Sequence, residues 1–240
     1  MLKLGAIFKD QMVLQQMSEA AVFGETDCEK VEVVFDGEGV LAKIEQGRFL
    51  AVIHTKQAGE KSYELVVNGT GRSGDTEQIV IHDVVLGEVW LAGGQSNMEL
   101  ELQNSDNGAR VVGEADYDFI RFYNVPKCPA VDNNLFEAEK GTAWKKVKDN
   151  NPTDMSAVAY YFAKKLYEEI KVPIGIIDCY WGGTSATCWV NRESLSDVEE
   201  VKPYINEWDA ICENKTDEEY DKEQEPWPVD GEMEKWRNGE

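Results

Sequence analysis

Short apolar runs with a two-residue period dominate the first 85 residues of the chain. Alternation of this kind is typical of half-buried β-strands, and Gly-containing pairs between the runs are typical of tight hairpin turns. The pattern predicts an antiparallel β-sandwich domain over residues 1–85. The predicted strands are residues 21–23, 31–35, 40–44, 49–53, 63–67 and 78–81, and the predicted turns are Asp36-Gly37, Gln46-Gly47, Asn68-Gly69 and Ser73-Gly74.

After residue 85 the pattern changes to alternating strand and helix signals. Apolar strands are predicted at residues 88–92, 119–124 and 174–180, and residues 156–171 have the four-residue repeat of an amphipathic helix laid on a sheet. This alternation is typical of α/β folds with a parallel sheet, so we predict an α/β second domain over residues 86–240. The apolar stripe predicted for the helix is Val158, Phe162, Leu166 and Ile170, widened by Ala159, Ala163 and Tyr167.

The chain is strongly acidic, with 46 Asp and Glu against 24 Lys and Arg and a formal net charge of −22 at pH 7. Such a charge repels phosphate backbones and anionic lipid surfaces, which argues against nucleic-acid and membrane partners. The acidic excess is densest between residues 193 and 225. We interpret residues 193–240 as a solvated helical insert that carries Trp208, Trp227 and Trp236, in a domain that is incomplete at its carboxyl end.

The amino terminus has no apolar segment of the kind that directs secretion, and no run approaches the length of a membrane span. We therefore expect a soluble, cytoplasmic protein. The cysteines are odd in number and lack Cys-x-x-Cys spacing, so neither a disulfide framework nor a zinc site is indicated, and reduced thiols are expected. The five cysteines are Cys28, Cys128, Cys179, Cys188 and Cys212.

Two of the predicted strands end in Gly-rich turns, Gly-Gly-Gln-Ser at residues 93–96 and Trp-Gly-Gly-Thr at residues 181–184. Because the carboxyl ends of parallel strands meet at one edge of a sheet, the two turns are expected to converge there. A serine nucleophile must be exposed on a sharp turn, beside a base and amide donors for the oxyanion. Ser96 meets the first requirement, and Gly182 or Gly183 can bring a backbone N–H close to a ligand.

Each of these turns also has a purely structural interpretation. Ser96 is a residue type that favours the N-cap of a helix, and the second turn is compatible with a structural role and no ligand. A base is not evident, because the histidines are His54 in a predicted sandwich strand and His82 at the domain junction. Asp178 either lines the site or is a buried carboxylate at a strand end that backbone donors satisfy.

Three segments, in the same order, resemble the sialate O-acetylesterase family of SGNH hydrolases, which are carbohydrate esterases. They are the Ala-Ile-Phe-Lys-Asp-Gln-Met-Val-Leu-Gln-Gln segment at residues 6–16, the Gly-Glu-Val-Trp-Leu-Ala-Gly-Gly-Gln-Ser-Asn-Met segment at residues 87–98, and residues 174–184. The resemblance extends from the amino terminus to about Trp189. It implies that residues 86–240 are the first part of a three-layer α/β/α domain.

The resemblance also implies a mechanism and site residues. Ser96 would attack the acetyl carbonyl of sialic acid or another acetylated carbohydrate such as xylan, and an acetyl-enzyme would then be hydrolysed without a metal or organic cofactor. The oxyanion would be held by the N–H of Ser96 and by that of Gly182 or Gly183. The residues expected to contact the substrate are Gln95, Asn97, Trp181 and Thr184.

Two segments that the family carries do not occur in these 240 residues. One is a Gln-Gly-Glu-Ser-Asn-like segment with a third oxyanion group, and the other is an Asp-x-x-His segment with the base. A shortened form, a nicked protein and a naturally incomplete gene product are competing explanations. We expect a fragment that is nearly inactive alone, with the remaining carboxyl-terminal part as a partner polypeptide. The alternative function is a non-catalytic carbohydrate-binding or interaction module.

Overall fold

The computed structural model describes residues 1–128, 133–213, 215, 216 and 219. It divides into two compact units, residues 1–184 and 185–240. The strands are β1 (Leu2–Leu4), β2 (Val13–Gln15), β3 (Glu19–Thr26), β4 (Lys30–Phe35), β5 (Glu38–Leu41), β6 (Lys43–Glu45), β7 (Arg48–His54), β8 (Ser62–Thr70), β9 (Thr76–Gly94), β10 (Tyr117–Asn124), β11 (Trp144–Val147) and β12 (Ile174–Tyr180). The helices are α1 (Ser96–Glu99), α2 (Gly108–Glu114), α3 (Asn133–Lys140), α4 (Ala157–Ile170), α5 (Arg192–Ser196) and α6 (Lys202–Cys212).

Two sheets build the first unit. One has the strand order β1-β3-β7-β6, and the other runs β11-β10-β12-β9-β8-β4-β5, with β2 paired to β9. Apolar side chains of both sheets form one core, for example Val22 and Phe49 from the first and Val33 and Leu65 from the second. Antiparallel pairing of β4, β5 and β8 continues through β9 into parallel pairing with β12 and β10. The mixed α/β class is confirmed.

A single long strand, β9, joins the antiparallel and the parallel parts of the larger sheet. It pairs with β8 as far as Val85 and with β12 from Glu88 to Gly94. Gly87 lies at this change of partner, where a Cβ atom would be 2.0 Å from the carbonyl oxygen of Pro173. Only glycine fits so close an approach of two backbones. The expected domain boundary after residue 85 falls inside this strand, and the division into domains stays a prediction.

Most of the predicted turns form, but two local predictions are wrong. Asp36-Gly37 and Gln46-Gly47 have the positive φ angles of tight hairpins. Asn68-Gly69, by contrast, lies inside β8, where a Cβ at Gly69 would be 2.8 Å from the Cys28 sulfur, so this glycine serves packing and not a turn. The strand predicted over residues 40–44 is divided into β5 and β6, which belong to different sheets.

Helix α4 forms where it is predicted, and part of the predicted stripe faces the core. Ser156 caps it, since its Oγ accepts a hydrogen bond from the Ala159 N–H at 3.2 Å, and Lys171 ends it with a φ of 57°. Of the predicted stripe, Ala159 and Ala163 are buried and Leu166 and Tyr167 pack partly buried against the core. Val158, Phe162 and Ile170 are exposed. The fully buried side chains of α4 pack in one core with residues of β10 and β12; they are Ala157, Ala159, Tyr160 and Ala163.

The second unit, described on its own, contains α5 and α6 in the acidic region. Asn191 caps α5 through its Oδ1, which accepts a hydrogen bond from the Ser194 N–H at 2.8 Å, and Arg192 forms an ion pair with Asp209. Trp227 and Trp236 lie outside the described residues. No helix in the described part of the chain is long and apolar enough to cross a membrane. The described cysteine thiols, those of Cys28, Cys128, Cys179 and Cys188, are free.

Candidate active site

The two Gly-rich turns lie side by side at the carboxyl ends of β9 and β12. The strands pair in parallel up to Tyr180 and Gly94, and the N–H of Trp181 then donates to the Gly94 carbonyl oxygen at 2.9 Å. A Cβ atom placed on Gly182 would be 3.5 Å from the Cβ of Ser96. The structure therefore brings Ser96 and Gly182 together, as the parallel arrangement of their strands requires.

Ser96 is exposed at the start of α1 and does not act as a helix cap. Gln95 is the N-cap residue, with no side-chain cap hydrogen bond, and its carbonyl oxygen accepts from the N–H groups of Met98 and Glu99. Within the described part of the chain, the Ser96 hydroxyl has no hydrogen-bond partner. The sharp turn comes from Gly94, whose φ of 154° favours glycine. The structure thus gives no support to the helix-cap interpretation of this serine.

A carboxylate occupies one of the two candidate oxyanion donors. Glu99 accepts a hydrogen bond from the Gly182 N–H on Oε2 and another from the Lys127 ammonium on Oε1. Lys127 and then the Gly182 N–H hold the pKa of Glu99 below its usual value, against the opposing effect of burial. Among the residues that the structure describes, the Gly183 N–H has no hydrogen-bond partner, and its φ is 82°.

Neither Glu99 nor Lys127 is among the predicted site residues. A sequence signal exists for Glu99, because a side chain three positions after Ser96 lies on the same side of a helical turn. No such signal exists for Lys127, which follows β10 and reaches the site only through the pairing of β10 with β12. The contact therefore depends on the order of strands in the sheet.

Asp178 lies beneath the turns and does not line an open site, since it is only 1% exposed. Its Oδ2 accepts a hydrogen bond from the Ser156 N–H at 3.0 Å, and its Oδ1 has no partner among the described residues. Burial raises the pKa of Asp178 to about 7, the Ser156 N–H lowers it, and the negative charge of Asp154 raises it further. The carboxyl group is therefore only half satisfied by backbone donors.

Ser156 connects this buried acid to the segment that follows the serine turn. Its Oγ lies 3.3 Å from the sulfur of Met98, two residues after Ser96. The next N–H along the chain, that of Ala157, donates to the Leu100 carbonyl oxygen at 2.8 Å. Asp178, the start of α4 and the end of α1 thus form one hydrogen-bonded support for the Ser96 turn.

The predicted substrate contacts surround the serine. Gln95, Asn97 and Trp181 are exposed, and the Thr184 hydroxyl donates to the Trp181 carbonyl oxygen at 2.7 Å. These positions are compatible with contacts to a ligand at the mouth of the two turns. Their roles stay predictions.

Neither histidine is placed to act as a base for Ser96. His82 is exposed, with its Nδ1 2.9 Å from the Glu64 carboxylate, and His54 is exposed beside Glu19. Gly94 lies twelve positions after His82 along β9, which is about 40 Å of extended strand. In the described ranges of the chain, no group of three His, Cys, Asp or Glu residues is placed to hold a metal ion.

Together, the fold and the site define a mixed α/β protein in which two Gly-rich turns present an exposed serine beside backbone amides. The chain is similar to sialate O-acetylesterases. It is 30% identical to the rat enzyme over 149 residues, covering 56% of this chain and 28% of that protein. It is 33% identical to the human enzyme over 121 residues, covering 48% and 23% of the two chains. The resemblance noted in the sequence is thereby confirmed.

A solved structure also shows similarity to an acetylesterase. The chain superimposes on a carbohydrate acetylesterase from Xanthomonas citri with a TM-score of 0.69 and 31% sequence identity, over 82% of this chain and 44% of that one. No protein-family model matches the chain. The matched part spans about a quarter of the length of the curated relatives.

Proposed function

We propose that this chain carries the nucleophile of a serine esterase that removes O-acetyl groups from carbohydrates. The observation that carries the proposal is the position of Ser96, exposed at the end of β9 and in contact distance of Gly182 at the end of β12. Ligands of parallel sheets bind at this edge. The similarity to sialate O-acetylesterases and to a carbohydrate acetylesterase supports acetylated sugars, sialic acid among them, as the substrate class.

The reaction would be acyl transfer through an acetyl-serine. The Ser96 Oγ attacks the acetyl carbonyl carbon and loses its proton to a base, and the sugar oxygen leaves with a proton. Backbone N–H groups, those of Ser96 and of Gly182 or Gly183, stabilise the oxyanion that forms in between. Water then attacks the acetyl-enzyme and releases acetate and free Ser96. Each of these steps uses protein groups, and none requires a metal or an organic cofactor.

The base for these proton transfers is expected from a segment outside these 240 residues, carried by the remaining carboxyl-terminal part as a partner polypeptide. Within the residues that the structure describes, the ion-pair partners of the two histidines are Glu19 for His54 and Glu64 for His82, and neither histidine forms a hydrogen bond with Ser96. An oxyanion hole without a base leaves only a small fraction of the rate of a complete triad. We therefore propose that the chain alone is nearly inactive and that the completed protein is the esterase.

The test combines an aryl acetate with a serine-directed phosphonate. Both reagents are applied to the chain alone and to the chain together with the polypeptide that completes it, and the labelled peptide is identified by mass spectrometry. The expected result is turnover and labelling of Ser96 only in the completed protein. Absence of labelling under both conditions would overturn the esterase proposal. Saturable binding of an acetylated glycan without turnover would then favour the carbohydrate-binding alternative.

A methyl group on Gly182 is expected to impair the reaction. In Gly182→Ala the new Cβ would be 2.9 Å from Glu99 Oε2 and 3.5 Å from the Cβ of Ser96, so the carboxylate or the turn must move. We expect kcat/KM of the completed enzyme for an aryl acetate to fall roughly tenfold to a hundredfold, as for a displaced oxyanion donor. Gly113→Ala is the control, because its Cβ meets no atom within 4 Å. Equal losses in both variants would contradict the prediction.

A further inference from the structure

The carboxylate of Glu99 joins three chain segments that end at the site. Glu99 belongs to α1, directly after Ser96, and its two oxygens accept hydrogen bonds from Gly182 after β12 and from Lys127 after β10. The Lys127 ammonium also lies 5.3 Å from the centre of the Tyr180 ring. Hydrogen bonds with a charged partner are about twice as strong as neutral ones, so this arrangement restrains all three segments.

We propose that Glu99 is a positioning residue of the serine site, which fixes the Gly182 peptide against Ser96 and leaves the Gly183 N–H as the second oxyanion donor. The inference rests on the proposed function. The positioning role follows from the contacts. Glu99 is three residues after Ser96 in α1, and its carboxylate accepts a hydrogen bond from the Gly182 N–H in the turn after β12. A Cβ on Gly182 would meet both Glu99 and Ser96, so the three groups lie in one cluster.

The assignment of the Gly183 N–H as the second oxyanion donor follows from charge. An oxyanion bound to the Gly182 N–H would lie beside the carboxylate oxygen that already occupies that donor, and two negative oxygens so close repel each other. The pKa of Glu99 is lowered by Lys127, so the carboxylate is charged at neutral pH and does not yield the donor by protonation. The neighbouring Gly183 N–H has no partner in the described part of the chain, and its φ of 82° favours glycine.

The contact itself can be tested without any catalytic assay. In a ¹⁵N-labelled chain, the amide resonance of Gly182 is followed by NMR from neutral to acidic pH in the unmodified protein, in Glu99→Gln and in Glu101→Gln. The amide should titrate with a pKa below the usual glutamate value, because Lys127 favours the charged carboxylate. Glu99→Gln should abolish this titration and Glu101→Gln should preserve it. A Gly182 amide that does not titrate, or titrates unchanged in Glu99→Gln, would overturn the proposal.

The role in the reaction is tested in the completed enzyme with an aryl acetate. Glu99→Ala should lower kcat about tenfold to a hundredfold and leave KM within about threefold, since orientation and not binding is lost. Glu99→Gln should restore part of the rate, because its amide oxygen still accepts from Gly182. A faster Glu99→Ala enzyme would overturn the proposal and identify Glu99 as a blocking group. The NMR experiment can show the Gly182–Glu99 hydrogen bond while the unmodified enzyme neither hydrolyses the aryl acetate nor reacts with the phosphonate. In that case the proposed esterase function is refuted, and the hydrogen bond between Glu99 and Gly182 is still established.

Discussion

Replacing Asp178 with asparagine is expected to raise the thermal midpoint of the chain at pH 8 and to flatten the change of its stability with pH. The carboxyl group of Asp178 is buried, and one of its oxygens has no partner among the described residues. Its pKa is raised to about 7 by burial. At pH 8 the folded chain must therefore hold a buried negative charge, which costs free energy that a neutral amide does not.

The sign follows from proton binding. An aspartate in the unfolded chain has a pKa near 3.9, so between about pH 4 and pH 7 the folded chain binds a proton that the unfolded chain has released. The contribution of Asp178 to the free energy of unfolding therefore falls as the pH rises through this range and stays constant above it. A rise of the pKa from about 4 to about 7 corresponds to about 4 kcal/mol.

The groups around the Asp178 side chain favour a hydrogen-bond donor at this position, and an ionised carboxylate cannot donate. Asn124 faces Asp178 across the β10–β12 pair, and its Nδ2 donates to the carbonyl oxygen and Oδ2 of Asp154, at 3.3 and 3.0 Å. The Asn124 Oδ1 is thus left without a donor among the described residues. An amide in place of the Asp178 carboxyl can accept from the Ser156 N–H and donate toward Asn124. One substitution would then supply a donor to the Asn124 Oδ1 and remove the unpaired oxygen of Asp178.

The other titratable groups near Asp178 are the carboxylate of Asp154, which forms an ion pair with Lys145, and the neutral phenol of Tyr180, which donates to the Asp154 carbonyl oxygen. The measurement is therefore the difference between variant and unmodified chain, from urea and thermal unfolding at pH 5 and pH 8. Asp106→Asn removes the same charge from an exposed side chain and is the control. A variant that is less stable at pH 8, or a difference that does not depend on pH, would refute the prediction.

Features with a local cause are predictable from this sequence. The strands over residues 174–180 and 31–35 follow from apolar periodicity, and the turns at Gly37 and Gly47 follow from the need for a positive φ. Ser96 and Gly182 are also predictable as neighbours. Parallel strands end at the same edge of a sheet, and here β9 and β12 are also directly paired up to Gly94 and Tyr180.

Features that depend on the assembled sheet are not predictable in this way. Arg121 is a charged residue in a largely apolar strand, a pattern that predicts an exposed side chain. It is instead 1% exposed, and it donates to the carbonyl oxygens of Gln11 and Asp83 and to the Asp83 carboxylate. The buried face of α4 combines three alanines with Tyr160, whereas Phe162 of the predicted stripe is exposed. Periodicity shows that a face is apolar, and packing decides which face is buried.

Replacing Ser96 with alanine is expected to abolish the esterase activity of the completed protein and to leave its stability almost unchanged. Loss of a nucleophile removes both steps of acyl transfer, and in serine hydrolases it lowers kcat by about 10⁴-fold to 10⁶-fold. Stability should stay within about 0.5 kcal/mol, since exposed substitutions without a partner have small effects. Ser96 is exposed, and its hydroxyl has no hydrogen-bond partner within the described residues.

The two readouts must be combined, because loss of activity alone does not distinguish a nucleophile from a residue that holds the turn. The completed protein is assayed with an aryl acetate and with an acetylated sialic acid, and its thermal midpoint is recorded beside that of Ser73→Ala, an exposed serine on a sandwich turn. The Ser73 variant should retain full activity. Turnover that survives in Ser96→Ala would refute the nucleophile. A large fall in the thermal midpoint would instead show that Ser96 supports the junction between β9 and α1.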